Sequence, residues 1–135
     1  MNLTKRKLNL RQEAKNKRKD LSTLEIQSLS TQVARQVSSY FSFRDKRISC
    51  FLSIVTQQEV LTEDLLKELT CNNQLFVPVT NIKEGTMIQV AYKVGDSLAF
   101  NAYNIPEPCT KLPPVPPTDL DVIFIPLLQA DTRGN

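Results

Sequence analysis

The stretch Ile48-Ser49-Cys50-Phe51-Leu52-Ser53-Ile54 decides the fold of this chain of 135 residues. It is a short apolar run without a charge, which is typical of a strand buried inside a protein. A helix is predicted soon after it, capped by Thr62, because Glu63 and Asp64 would favour the positive end of the helix dipole. The helix is predicted to end at Asn72-Asn73.

Further elements are predicted on both sides of this stretch. Upstream, residues 4–20 form a helix with Thr4 as its N-cap, and the capping box Ser22-Thr23-Leu24-Glu25 begins a second helix that ends near Tyr40. Downstream, strands are predicted over residues 75–79, 87–92 and 121–125, and residues 104–118, with their six prolines, form an extended loop. Short apolar strands alternating with helices predict one α/β domain over residues 1–135 with a mainly parallel sheet.

Several residues are assigned to the core from their spacing. In the second helix, spacings of three and four residues define one apolar face, which includes Tyr40. Pro78 predicts an edge or strand-end position for its strand. The predicted core residues of the three helices are Leu3, Leu10, Ala14, Leu21, Ile26, Leu29, Val33, Val37, Tyr40, Leu65, Leu66 and Leu69.

The composition excludes several classes of site. The chain has no histidine, so a histidine base, a Ser-His-Asp triad and a His-ligated metal are ruled out within it. Its three glycines are scattered, which excludes a Gly-rich phosphate loop from these residues. Three cysteines without a CxxC pair indicate reduced thiols in an intracellular protein. No secretory signal or membrane span is recognisable, so we expect a cytoplasmic location.

Positive charge is concentrated at the N-terminus. Residues 1–20 hold eight basic and two acidic residues, a net charge of +6, whereas the remaining residues hold nine and twelve, a net charge of −3. Lys7, Arg11, Lys15 and Arg18 follow one another at helical spacing and form a cationic ridge. Such a ridge favours a polyanion such as phosphate, nucleotide, nucleic acid or a membrane surface, but a solvated helix face explains it equally simply.

Two loops at predicted strand ends are candidate sites, because ligands of such sheets bind beyond the carboxyl ends of the strands. After the first strand, Glu59 is the single charge in residues 55–59, and its carboxylate could accept paired hydrogen bonds from an amino-heterocycle. The alternative is an acid that merely favours the following helix dipole. After the last strand, Asp131-Thr132-Arg133-Gly134-Asn135 predicts a turn, which could equally begin a phosphate or metal site.

Several segments taken together resemble the 5-formyltetrahydrofolate cyclo-ligases, also called 5,10-methenyltetrahydrofolate synthetases. No single segment is specific, but the ordered set spans nearly the whole chain. The matching segments are Lys7-Leu8-Asn9-Leu10-Arg11, Leu21-Ser22, Ile48-Ser49-Cys50-Phe51-Leu52-Ser53, Glu59-Val60-Leu61-Thr62, Phe76-Val77-Pro78, Asn104-Ile105-Pro106-Glu107-Pro108, Asp119-Leu120-Asp121-Val122-Ile123-Phe124-Ile125-Pro126 and the Asp131 to Asn135 turn.

The resemblance implies a fold, a reaction and site residues. The fold would be a three-layer α/β/α arrangement of the NagB/RpiA-like type. The reaction would be the ATP-dependent cyclisation of 5-formyltetrahydrofolate, with Mg²⁺ and with no catalytic or metal-ligating residue assigned in this chain. Lys7 and Arg11 match ATP-binding positions of the family, whereas Leu52 and Glu59 match folate-contacting positions. Tyr103 falls where relatives can place an aromatic residue, so it has a weak stacking role or packs only.

The chain departs from the family pattern at its end. In the family, the Gly-Asn turn leads into a Gly-rich segment that cradles phosphate and contributes to magnesium and folate binding. We therefore expect a truncated ligase, inactive by itself, whose small-molecule partners are 5-formyltetrahydrofolate and ATP and which binds neither nucleic acid nor membranes. Two alternatives stay open: a degenerate folate-binding module without ATP chemistry, and a nucleic-acid-binding protein that uses the basic first helix.

Overall fold

The computed structural model describes residues 2–135, and three α-helices and six strands are seen in them. Short 3₁₀ helices span Val55–Gln57 and Pro117–Asp119. The helices are α1 (Leu3–Lys19), α2 (Thr23–Tyr40) and α3 (Glu63–Thr70), and the strands are β1 (Arg47–Cys50), β2 (Gln74–Asn81), β3 (Thr86–Tyr92), β4 (Leu98–Phe100), β5 (Pro106–Pro108) and β6 (Val122–Phe124).

Four strands form the central sheet in the order β3-β2-β1-β6. β1 pairs in parallel with β2 and with β6, and β3 adds to β2 as an antiparallel edge strand. β4 and β5 form a separate antiparallel pair. The prediction of an α/β fold with a mainly parallel sheet is therefore confirmed.

The hydrophobic core lies on one face of this sheet. Ile48 and Cys50 of β1 are fully buried there, and the predicted inward residues of α3, Leu65, Leu66 and Leu69, pack against them. Burial raises the pKa of the Cys50 thiol to about 12, because the ionised form is disfavoured away from water. On the other face, Ile123 of β6 is 48% exposed. The core helices α2 and α3 thus cover one face, while the other face is in part open.

The buried face of α2 matches the prediction only in part, since Ile26 is buried and Val37 packs against the core as predicted. Ile26, Ser30 and Ala34 are buried, whereas Leu29 and Val33 are exposed and Tyr40 is 77% exposed. Placing Tyr40 in the core was therefore wrong. Ile26, Ser30 and Ala34 follow one another at four-residue spacing on the buried face, and the Ser30 hydroxyl accepts a hydrogen bond from the Leu61 backbone N–H at 2.8 Å, which ties this face to the loop before α3.

The predicted N-cap and apolar face of α1 also need correction. Asn2 is the N-cap, and its side chain accepts a hydrogen bond from the Thr4 backbone N–H at 3.1 Å. Of the predicted apolar residues of this helix, Ala14 is buried, whereas Leu3 and Leu10 are exposed. The capping box of α2, in contrast, is present as predicted between Ser22 and Glu25.

The strands differ from the prediction mainly at their ends. β1 ends at Cys50, so residues 51–54 belong to the loop that follows it. Pro78 lies within β2, which is an inner strand, but β2 pairs with β1 only as far as Phe76. Backbone N–H groups on this side of β2 bond to Lys46 at Gln74 and to Glu107 at Thr80. A proline at position 78 therefore breaks no ladder hydrogen bond with β1.

The proline-rich segment is more ordered than the predicted extended loop. Within residues 104–118, Pro106–Pro108 form β5, Val115 makes an antiparallel bridge to Gln89 of β3, and a 3₁₀ helix begins at Pro117. Prolines suit β5 and the Val115 bridge because a short or edge pairing needs few N–H donors. A proline also suits the first position of a helix, where the backbone N–H has no partner within the helix. No helix in residues 2–135 is both long and apolar enough to cross a membrane.

Candidate functional site

The loop after β1, residues 51–62, carries two of the predicted ligand residues. The carboxylate of Glu59 accepts a hydrogen bond from the Ile54 backbone N–H at 2.9 Å, which closes the loop on itself. Only Oε2 of Glu59 makes this bond, and in residues 2–135 Oε1 has no hydrogen-bond partner. A carboxylate has about four acceptor positions, so Glu59 can hold the loop and still accept bonds from a ligand.

Thr62 anchors the far end of this loop. Its hydroxyl donates to the Phe51 carbonyl at 2.9 Å, and its backbone N–H donates to the Ser53 hydroxyl at 2.9 Å. Thr62 begins α3 as predicted, but its side chain makes no capping hydrogen bond, since the hydroxyl is used in this contact. These hydrogen bonds join the two ends of the loop at the carboxyl end of β1.

Leu52 lies between these anchors. It is half-buried and packs against the hydrophobic core, as does Phe51 beside it. Glu59 is half-buried as well. Both side chains that the resemblance assigns to folate therefore sit on one short loop, with an apolar wall and an acceptor carboxylate.

The C-terminal end of α1 docks on the same loop. The guanidinium of Arg18 donates to the Gln57 carbonyl at 2.7 Å, and the Gln58 side chain donates to the carbonyls of Lys19 at 3.2 Å and Leu21 at 2.9 Å. Gln58 adopts a left-handed backbone conformation at φ +53°, which turns the chain at the end of the 3₁₀ helix. The sequence indicated a solvated ridge position for Arg18, and this contact was missed because its partner is distant in the chain.

Lys7 and Arg11 lie further along α1, and both are exposed. In residues 2–135 neither forms an ion pair, since the salt bridge found there joins Lys67 and Glu63. At about 1.5 Å per residue, Arg11 lies about 10 Å and Lys7 about 16 Å along the helix axis from the Arg18 contact. The two cations are one helical turn apart, so both can reach oxygens of one phosphate chain.

Tyr103 is on the turn between β4 and β5 and is 60% exposed. Its neighbour Asn104 donates from its side chain to the Thr56 hydroxyl at 3.2 Å. This contact brings the turn to the loop that carries Leu52 and Glu59. The structure thus gathers the end of α1, the loop after β1 and the Tyr103 turn at the carboxyl end of β1.

The second candidate loop forms the predicted turn. Asp131 accepts hydrogen bonds from the backbone N–H groups of Arg133 and Asn135, each at 2.9 Å. The hydrogen bond from the Asn135 backbone, with others from the same turn, holds the pKa of Asp131 below its ordinary value. Residues 2–135 contain no group of three acidic, cysteine or histidine side chains that could hold a metal ion.

The fold and the loop define an α/β domain whose candidate site lies at the carboxyl end of a central parallel strand. The sequence model of the 5-formyltetrahydrofolate cyclo-ligase family matches residues 3–135, and the chain therefore belongs to this family. Its structure is similar to the NMR structure of Aquifex aeolicus 5,10-methenyltetrahydrofolate synthetase, with a TM-score of 0.63 and 27% sequence identity. The alignment covers 87% of this chain and 58% of the Aquifex protein. A comparison with curated protein sequences finds no match.

Proposed function

We propose that this chain carries the folate loop and the ATP-binding helix of an enzyme that converts 5-formyltetrahydrofolate into 5,10-methenyltetrahydrofolate with ATP. Family membership supports the reaction class. The single observation that carries the proposal for this chain is the docking of α1 on the Glu59 loop through Arg18 and Gln58. It connects the element that bears the two free cations to the element that bears the carboxylate.

In the proposed reaction, the formyl oxygen attacks the γ-phosphorus of ATP, and ADP leaves. N10 of the folate then attacks the activated formyl carbon, N10 loses its proton, and inorganic phosphate departs with the former formyl oxygen. An amide-like oxygen is a poor leaving group, whereas its phosphorylated form is a good one. Catalysis of this kind consists largely of positioning and charge neutralisation, so a chain without histidine can contribute to it.

Each proposed residue has a role that follows from its chemistry. Lys7 and Arg11 bind phosphate oxygens of ATP by charge-assisted hydrogen bonds. Glu59 accepts N–H groups of the pterin edge, Leu52 forms an apolar wall, and Tyr103 stacks on the ligand. Mg²⁺, when bound, would supply further neutralisation of phosphate charge.

A crossed titration of the 135-residue chain with 5-formyltetrahydrofolate and with ATP tests this proposal. The assay measures binding rather than turnover, because the chain spans 58% of the length of the Aquifex protein. Glu59→Gln keeps an amide oxygen for the Ile54 N–H but loses the charge and replaces one acceptor by a donor. We expect its folate affinity to fall by roughly 10- to 100-fold, the equivalent of one charge-assisted hydrogen bond, with ATP affinity unchanged.

The reciprocal variants act on ATP. Lys7→Ala and Arg11→Ala are expected to weaken ATP binding and leave folate binding unchanged. Lys5→Ala is the matched control, because Lys5 is exposed on α1 but lies two residues, or about 200°, away from Lys7 around the helix. Folate binding without ATP binding would favour the degenerate folate module, and an equal effect of Lys5→Ala on ATP would reduce the helix to a non-specific cationic surface.

A further inference from the structure

Asn101 organises the turn that presents Tyr103. Its side-chain oxygen accepts the backbone N–H groups of Tyr103 at 2.9 Å and of Ile105 at 3.1 Å. Its backbone N–H donates to the Ile105 carbonyl at 3.0 Å, and its carbonyl accepts the Asn104 N–H at 2.9 Å. Asn104 has a left-handed backbone at φ +61°, a conformation that asparagine adopts more readily than most residues. One side chain therefore holds both ends of this turn.

Glu107 in turn fixes the orientation of Asn101. Its Oε1 accepts the side-chain N–H₂ of Asn101 at 2.9 Å and the backbone N–H of Thr80 at 3.1 Å. Both side chains are half-buried. An ionised carboxylate only accepts hydrogen bonds, so the amide nitrogen of Asn101 must face Glu107 and its oxygen must face the turn. The Thr80 bond attaches this arrangement to β2 at a position past the end of β1.

The turn is also held from the opposite direction, by the contact of Asn104 with Thr56. Thr56 lies in the 3₁₀ helix of the loop that contains Leu52 and Glu59. Two residues near Tyr103 are therefore held by hydrogen bonds. Asn101 is anchored to the central sheet through Glu107, and Asn104 is anchored to the proposed folate loop. A hydrogen-bonded chain from β2 through Glu107 and Asn101 thus holds the backbone of Tyr103, from which its exposed ring extends.

We propose that Glu107 and Asn101 are positioning residues of the folate site, which set the Tyr103 turn against the loop of Glu59. Neither contacts the ligand in this scheme. The inference rests on the proposed function for its ligand, while its structural part stands without a ligand. Glu107→Gln should preserve the arrangement, because the amide oxygen still accepts from Asn101 and Thr80. Glu107→Ala should release Asn101, and Asn101→Asp should place a second carboxylate against Glu107, so that repulsion between the two charges turns the new side chain away from the Tyr103 and Ile105 amides.

Amide hydrogen exchange tests the structural part without a ligand. In Glu107→Ala and Asn101→Asp, the amides of Tyr103 and Ile105 are expected to exchange about tenfold faster, the factor for the loss of one net hydrogen bond. The amide of Ile54, which bonds to Glu59, is the internal reference. Glu107→Gln and Glu84→Ala, a loss of charge at an exposed turn position, should leave all three amides unchanged. Unchanged exchange in both disruptive variants would overturn the proposal.

Titration with 5-formyltetrahydrofolate tests the functional part. Glu107→Ala and Asn101→Asp should weaken folate binding about five- to tenfold, Glu107→Gln should restore it, and ATP affinity should stay the same in all of them. If circular dichroism shows that Glu107→Ala does not fold, the folate affinities of Asn101→Asp and Glu107→Gln still test the positioning role. Folate binding that is equally tight in the disruptive variants would refute the positioning role. Accelerated exchange in a chain that binds no folate at all would instead refute the proposed function and leave the turn assignment standing.

Discussion

Replacing Ser30 by alanine should destabilise the chain, although alanine is the better helix former. Ser30 is buried in α2 with 5% of its surface exposed. Its hydroxyl accepts the Leu61 backbone N–H at 2.8 Å and donates to the Ile26 carbonyl at 2.6 Å. The variant leaves the partly buried Leu61 N–H without its partner at the end of the proposed folate loop.

The magnitude follows from two opposed contributions. An unpaired buried N–H costs about 1–3 kcal/mol, whereas the change from serine to alanine inside a helix contributes about 0.5 kcal/mol of stability. The free energy of unfolding should therefore fall by about 0.5–2.5 kcal/mol. Urea unfolding followed by circular dichroism measures it, and an unchanged m-value would show that the stability itself has changed.

Ser28→Ala is the matched control, because Ser28 is exposed on the same helix and its hydroxyl makes only a 3.4 Å contact with Gln32. The Ser28→Ala variant gains the same helix propensity as Ser30→Ala but does not remove the hydrogen bond to the Leu61 backbone N–H. Ser30→Ala should be less stable than Ser28→Ala by about 1–3 kcal/mol. Equal stability of the two variants, within about 0.5 kcal/mol, would refute the reasoning that this hydroxyl ties α2 to the loop.

Two further predictions concern titration and thiol reactivity. The hydrogen bond from the Ser22 backbone, followed by that from its side chain, lowers the pKa of Glu25, so its contribution to stability is present above the unfolded value of about 4.3 and is lost as pH falls through the lowered folded pKa. Urea midpoints of the wild type and Glu25→Ala should converge as pH falls, and a constant difference would contradict this. Cys50 is buried with a pKa raised to about 12, whereas Cys71 and Cys109 are exposed, so mass spectrometry after brief alkylation at pH 8 should find two modified thiols in the native chain and three after denaturation. A native Cys50 that reacts as fast as Cys71 would show that the core opens.

Local patterns in the sequence predicted the elements whose stabilising partners are near in the chain. The capping box between Ser22 and Glu25 and the inward leucines of α3 depend on spacings of three and four residues, and both were confirmed. Element ends were less predictable. The end of β1 at Cys50 depends on where β2 and β6 pair with it, and this pairing is set by residues far away in the chain.

The buried face of α2 was predicted correctly only in part, for a related reason. Ile26 is buried and Val37 packs against the core as predicted, whereas Leu29, Val33 and Tyr40 are exposed. Periodicity defined one apolar face from the large side chains of this helix, and it gave no weight to the small residues Ser30 and Ala34 beside that face. In the structure Ser30 and Ala34 are buried and Tyr40 is left exposed, and the Ser30 hydroxyl bonds to the backbone of Leu61, which is distant in the chain. Hydrophobicity alone favours the larger residues, so the choice could be made only by the shape of the neighbouring elements.

By itself, the sequence determined the α/β class, the cationic character of α1 and the loop that carries Glu59, whereas Leu52 was predicted inside the strand that precedes this loop. Only the tertiary structure decided how these parts meet, through the contact of Arg18 with Gln57 and that of Asn104 with Thr56. The same holds for the bonds of Glu107 to Asn101 and Thr80. The physical reason is that a hydrogen bond between distant residues leaves no periodic trace in a sequence, because its partners become neighbours only after the sheet has formed.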